Sequence, residues 1–468
     1  TFKVVCRTFD HFVGGMKHLY EVSSCRNTTR AQQQHGAMRL YYIAAEEVEW
    51  DYASNKSSAP KIYNVSSNEE SYGHVFLSQE EDLIGSKYKK VVYREYTSGN
   101  FTQRKVRTEE EEHLEILGPL LHAEVGDSVL IVFKNKASRP YSISAHGIEE
   151  VGCEEQPETP ITLPGEINTY RWNVPERSGP GKTDPNCITW VYYSTVNFVK
   201  DTYSGLIGPL VVCRKGILDE RGLRKDIDRE FTLLFMVFDE NESWYLKENI
   251  ETYLHKNPDD FNSTKNFVEG NCKHAINGKI YNSLLGLTMN EGDRTNWYLI
   301  GMGDEVDIHT VHFHAQTFIF KTDKDHRGDV YDLFPGTFQT VELMAENPGT
   351  WLLHCHVADH IHAGMETTYT INKSAWEAPS EGGLTTGAYN TTTANNRTTA
   401  EDYDSKGGNF WGKILNRGEA SLVLAAFFFI GLVLLSTVLI FFCLVTRQGS
   451  RIPYMALHDK SALLIDSL

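Results

Sequence analysis

The sequence predicts an all-β protein built from repeated sandwiches and followed by one C-terminal transmembrane helix. Three observations carry that expectation. From Leu40 to Ile371, short stretches rich in Val, Ile, Tyr, Phe and Trp are broken by Gly, Pro and Asn, with no long amphipathic helix pattern between them. Several motifs recur along the chain, as they do when one structural unit is repeated. Ser421 to Val445 runs twenty-five residues without a charge, long enough to cross a hydrocarbon core as a helix and too long without charge for an ordinary core helix.

The chain has 468 residues, 41% hydrophobic and 23% charged, a globular composition with room for two or three domains. Its net charge of -17 and the lack of a basic patch argue against nucleic acid as a partner. Basic residues flank the apolar run on both sides, so they do not orient it. Sequons do: Asn27, Asn55, Asn64, Asn100, Asn241, Asn262, Asn372, Asn390 and Asn396 each open an N-x-S/T triplet upstream of the run, and none lies downstream. The expected arrangement is single-pass type I in the plasma membrane, with an extracellular ectodomain. No basic and apolar leader precedes the first residues, so the start of the protein is expected to be missing or processed.

The repeat divides the chain. Gly126-Asp127 precedes the segment Tyr141 to His146 as Gly292-Asp293 precedes His309 to His314. Thr189-Trp190 opens a strand matched by Thr350-Trp351, and Cys6, His11 and Met16 share their C-x4-H-x4-M spacing with Cys355, His360 and Met365. The organisation expected is the end of one unit at 1–36, a complete unit at 37–225, another at 226–372, a glycosylated stalk rich in Thr, Gly, Asn and Ser at 373–418, the membrane helix at 419–445 and a cytosolic tail at 446–468.

Eight of the eighteen histidines lie between His309 and His362. An isolated histidine is usually a surface or core residue, but this arrangement is not scattered. Alternate side chains of a strand share a face, so His312 and His314 point one way, and His354 and His356 point one way with Cys355 opposite. One face of the strand then offers Cys355, His309, His360 and Met365, the ligand set of a blue-copper electron-transfer site. The other face offers four imidazoles.

The segments HTVHFH and HCHVADHIHAGM resemble the C-terminal copper motifs of multicopper oxidases. The flanking FDENESWYL, YYIAAEEVEWDY and IGSKYKKVVYR are similar to those of the vertebrate multicopper ferroxidases, the ceruloplasmin and hephaestin family. The apolar run favours the membrane-anchored hephaestin-like members, of which this chain resembles only the C-terminal part. The resemblance implies Greek-key cupredoxin sandwiches, six in the whole family architecture, with copper as cofactor. It makes His309, Cys355, His360 and Met365 type 1 copper ligands, His312 a type 2 ligand, and His314, His354 and His356 type 3 ligands. Cys355 with its neighbours His354 and His356 would carry electrons from the type 1 copper to the cluster, where O2 is reduced to water. The other half of that cluster belongs to upstream domains of the same protein.

In the middle unit Ser194 stands where the copper cysteine would be, so that unit is expected to hold no type 1 copper. In the first, Cys6, His11 and Met16 would be part of a type 1 site, while Val5 and Arg7 replace the flanking histidines. A disulfide from Cys6 to Cys25 is the alternative for that thiol. The resemblance also implies a disulfide between Cys187 and Cys213; Cys153 and Cys272 are left open, and Cys443 is a weak palmitoylation candidate.

For iron as substrate the family pattern E-x4-H appears as Glu269 and His274, with Asp359 beside His360. Asp10 and Glu305 would serve a second iron site in the same way. The activity implied is oxidation of Fe2+ to Fe3+ with O2. The alternatives are a non-catalytic cupredoxin-repeat binding or adhesion module, and a copper oxidase of phenols or amines. A nearby iron exporter is a candidate partner. Tyr454-x-x-Leu457 and Asp459 to Leu464 resemble sorting signals read by adaptor proteins.

Overall fold

Ser128–Asn135 shows how sequence pattern becomes sheet: Val129, Ile131 and Phe133 are fully buried while the residues between them are half-buried. In the computed structural model, which describes residues 2–22, 36–55, 73–151, 160–373, 409–410 and 413–414, this strand belongs to a five-stranded sheet. The order across that sheet is Lys87–Tyr96, Met38–Asp51, Ser128–Asn135, Ile167–Asn173 and Glu149–Glu150. A four-stranded sheet accompanies it, in the order Leu121–Glu124, Ile207–Cys213, Cys187–Tyr193 and Ser144–Ala145. Cys187 and Cys213 face each other in register and are bonded as a disulfide.

The next two sheets repeat this plan. Arg229–Asp239 pairs parallel with Arg294–Gly301, as Met38–Asp51 does with Ser128–Asn135. Thr288–Asn290 pairs parallel with Glu366–Asn372, as Leu121–Glu124 does with Ile207–Cys213. The remaining ladders are antiparallel, so both pairs of sheets have the mixed Greek-key character of an all-β sandwich.

The strand Arg229–Asp239 explains how neighbouring sandwiches share a core. Phe231 to Phe238 are all buried, and alternate side chains enter different clusters. Phe231, Leu233, Phe235 and Val237 pack inside their own sandwich. Leu234, Met236 and Phe238 pack with Tyr52, Tyr88, Ile116 and Phe198 of the preceding one. A strand covered on both faces loses the apolar and polar alternation of a half-exposed one.

The described residues up to Lys373 belong to one compact unit; beyond it the described residues are Asn409–Phe410 paired antiparallel with Lys413–Ile414. Among the described residues no helix is long and apolar enough to cross a membrane. The expected helix at 419–445, the tail at 446–468, most of the stalk, Cys25, Cys153 and Cys443, and the sequons at Asn27, Asn64, Asn390 and Asn396 lie outside the described residues.

Candidate metal centre

His309–Phe313 and Gly349–Cys355 are antiparallel neighbours in which Val311 pairs with Cys355 and His312 with His354. Alternation therefore sends Cys355 to one face of the sheet and His354 to the other. The turn after Cys355 closes on the helix Ala358–His362, where the Cys355 N–H donates to Met365 O at 3.0 Å and the Met365 N–H to His360 O at 2.9 Å. Gly364, at φ 103°, supplies the left-handed step that this tight return requires.

The turn brings three donor atoms together. Cys355 Sγ lies 3.5 Å from His360 Nδ1 and 3.8 Å from His309 Nδ1, and the two imidazole nitrogens are 3.2 Å apart. Cys355 and Met365 are fully buried and His360 is nearly so. Burial alone would push the Cys355 thiol up, but hydrogen bonding from His309 and His360 outweighs it and brings the group down to about 6. A dry cluster of one thiolate-prone sulfur and two imidazoles, with a buried thioether in the same loop, fits copper by its donor chemistry.

On the opposite face His354 Nε2 lies 3.2 Å from His312 Nδ1 and 3.0 Å from His314 Nε2. His354 Nδ1 is 2.8 Å from Cys355 O, which fixes the ring orientation. Burial holds His354 down at about 4, and His312 is also lowered, so both imidazoles are neutral and able to ligate at neutral pH. His356 is exposed, with its ring centroid 5.3 Å from that of His312 and 5.4 Å from that of His354.

The first fragment repeats the turn bond for bond. The Cys6 N–H donates to Met16 O at 2.9 Å, the Met16 N–H to His11 O at 2.9 Å, and Gly15 takes φ 90°. Cys6 is a free thiol with Sγ 3.5 Å from His11 Nδ1, whereas Met16 is 56% exposed. The middle sandwich fills the equivalent place with serine, aspartate and leucine side chains. Ser194 accepts from the Ser142 N–H at 3.1 Å and donates to Asp201 Oδ2 at 2.6 Å, and Leu206 N–H donates to Asp201 O at 3.0 Å as Met365 does to His360 O. Asp201 thus occupies the place of His360 and Leu206 that of Met365.

The expected iron residues are less concentrated. Glu269 is exposed on the helix Lys265–Gly270, and Asp359 is exposed beside His360. His274 is half-buried in the next strand, with its ring 5.1 Å from that of His360. Burial lowers His274 to about 4 although its bond to Cys272 O and the charge of Asp359 oppose the shift. Cys272 is a free thiol. In the first fragment Glu305 Oε2 lies 3.7 Å from His11 Nε2, and partial burial and the neighbouring Asp304 push Asp10 up.

Of the described sequons, Asn55, Asn100, Asn262 and Asn372 are exposed. At Asn100 the carboxamide oxygen accepts from the Thr102 hydroxyl at 3.0 Å. Asn241 is half-buried and its amide donates to Asp239 Oδ1 and Val268 O. Sequence reasoning did not single out Asp307, which stands against His309; its place two residues before the ligand was the available signal.

The sandwiches and the His, Cys and Met cluster define a cupredoxin-type copper protein, and family models confirm the class. Residues 103–216 and 252–375, together just over half of the chain, match models of the multicopper oxidase family. The chain belongs to that family. It is 58% identical over 444 residues to the protein named ferroxidase HEPHL1 of Homo sapiens, covering 94% of this chain and 38% of that one. It is 54% identical to hephaestin of Rattus norvegicus over 374 residues, covering 79% of this chain and 32% of that one. Ceruloplasmin of Homo sapiens is likewise 54% identical, over 372 residues, with 79% and 34% covered. The chain therefore spans about a third of the length of these relatives.

Proposed function

We propose that this chain is the C-terminal part of a membrane-anchored multicopper ferroxidase that oxidises Fe2+ to Fe3+ at an extracellular site. The observation that carries the reading is the single strand on which Cys355 serves one buried donor set and His354 the other. The sequons upstream of Ser421 support the orientation, with 419–445 as the anchor.

Bound copper would supply reversible one-electron chemistry; in the complete protein four electrons from four Fe2+, with four protons from solvent, would convert one O2 to two waters. The chain's own residues do the rest. Cys355, His309 and His360, with Met365, hold the entry site dry and tolerant of both copper oxidation states. The peptide bonds joining Cys355 to His354 and His356 give the electron a short covalent route. His312, His314, His354 and His356 present half of a cluster whose remaining ligands come from upstream domains. Glu269, His274 and Asp359 would hold Fe2+, since carboxylate with imidazole suits it. Asp10, His11 and Glu305 would form the matching face of the first fragment, with Cys6 and Met16 as part of its copper site.

The reading is tested by mixing the copper-loaded chain anaerobically with Fe2+ and following the loss of blue absorbance. Rapid bleaching by Fe2+, slowed in Glu269→Ala and His274→Ala with the copper spectrum unchanged, is expected. Faster bleaching by a phenol than by Fe2+, with no effect of those substitutions, would contradict it.

A further inference from the structure

Outside the candidate metal centre, a cavity of about 300 Å³ opens where Arg94, Arg104, Lys105 and Arg107 converge beside Trp50 and Glu115. Its carboxylates are already engaged. Glu95 pairs with Lys105 at 2.9 Å, Glu115 with Lys279 at 3.6 Å, and Glu111 accepts from the Thr108 N–H at 3.1 Å. Arg104 pairs with Glu46. Among the described residues, neither Arg94 nor Arg107 has a carboxylate within ion-pair distance.

Both guanidiniums instead donate to the same two main-chain carbonyls. Arg94 reaches Leu117 O at 3.3 Å and Glu115 O at 3.4 Å, and also donates to Tyr93 O at 3.0 Å; Arg107 reaches Glu115 O at 2.7 Å and also bonds Leu117 O. Two like charges are thus pinned side by side and half-buried. One arginine suffices to satisfy the carbonyls that follow the short helix Glu109–Leu114. A second cation there is costly. The charges of Glu115 and Glu111 on Arg107 and of Glu46 and Glu115 on Arg94 offset only part of that cost, since burial still leaves both guanidiniums below their ordinary values. Burial, with the charges of Arg107 and Arg104, pulls Arg94 below its ordinary value. Arg107 bonds through only its two terminal nitrogens to these carbonyls, so part of its five-donor fork is still available to a ligand.

We propose that Arg94 and Arg107, with Lys105 at the rim, form a binding site for a small tetrahedral oxyanion of the phosphate type. Paired guanidinium forks match such a ligand in geometry and charge. Sulfate, of the same shape, would compete for the site, and chloride would not.

The test is hydrogen exchange read by mass spectrometry on the whole chain, titrated with inorganic phosphate at constant ionic strength. Saturable protection of peptides spanning 104–117 is expected with phosphate and likewise with sulfate, and none with chloride. In Arg107→Gln the half-saturating phosphate concentration should rise about tenfold, the loss of one charge-assisted bond pair. If that variant does not fold, Lys105→Gln, at the exposed rim, should raise it about threefold. No phosphate-dependent protection at 104–117, or equal half-saturation in wild type and the folded variant, would overturn the proposal.

Discussion

Asp307 Oδ1 stands 3.3 Å from His309 Nε2, and both side chains are fully buried. The carboxylate is itself fixed, accepting from the Val237 N–H at 2.5 Å and the Asp304 N–H at 2.8 Å. Its loop is tied to the first fragment by the Phe9 N–H donating to Gly303 O at 3.0 Å. A carboxylate behind a ligating imidazole orients the ring and raises its basicity, so Asp307→Asn should weaken copper binding about 10- to 100-fold. Competition with a chelator of known affinity measures it, and an unchanged affinity would remove Asp307 from the account.

Ser194→Cys restores the copper cysteine of the middle sandwich, yet it should not create a second blue site. Asp201 and Leu206 occupy the places of the histidine and methionine, and the Ser194 bond to Asp201 Oδ2 at 2.6 Å would be lost. The expected result is an unchanged copper-to-protein ratio and a loss of about 1 to 3 kcal/mol in stability. A second type 1 spectrum would contradict it.

Lys90 and Glu240 form a fully buried ion pair between the two complete sandwiches, joined by the Tyr52 hydroxyl at 2.6 Å from Glu240 Oε1. Removing one partner strands the other charge, so Lys90→Met should cost about 3 to 5 kcal/mol. Lys90→Met combined with Glu240→Gln should cost less than the single change, because no unpaired charge is left. Urea unfolding of the metal-free chain compares them, and equal or additive losses would go against the pairing.

Stability of the metal-free chain should fall with acid. Burial lowers His113 to about 3 and His146 to about 4, below the ordinary histidine value. Between roughly pH 6.5 and 4 the unfolded chain therefore binds protons that the folded chain does not, and each such histidine removes up to about 1.4 kcal/mol per pH unit as pH falls. Unfolding midpoints measured from pH 7 to 5 should decrease; a flat profile would contradict these burials.

Much of the centre was legible because strand alternation and the C-x4-H-x4-M spacing are local properties. Cys355 and His354 take opposite faces for the reason the sequence suggests, and the loop from Cys6 to Met16 closes with the same bonds as that from Cys355 to Met365. What was not legible depends on surfaces meeting. The second buried face of Arg229–Asp239, the Lys90 and Glu240 pair and the side-by-side Arg94 and Arg107 are set by how segments far apart in sequence pack. Glu269 and His274 are five residues apart, yet one is exposed on a helix and the other is half-buried in a strand.

Electron paramagnetic resonance of the copper-loaded chain, wild type against Cys355→Ser, tests the central claim most directly. A narrow-hyperfine type 1 signal from the wild type, absent from the variant while copper bound by His312, His314 and His354 is retained, is the predicted result. A folded, copper-loaded wild type with no type 1 signal, or a signal that survives Cys355→Ser, would contradict it.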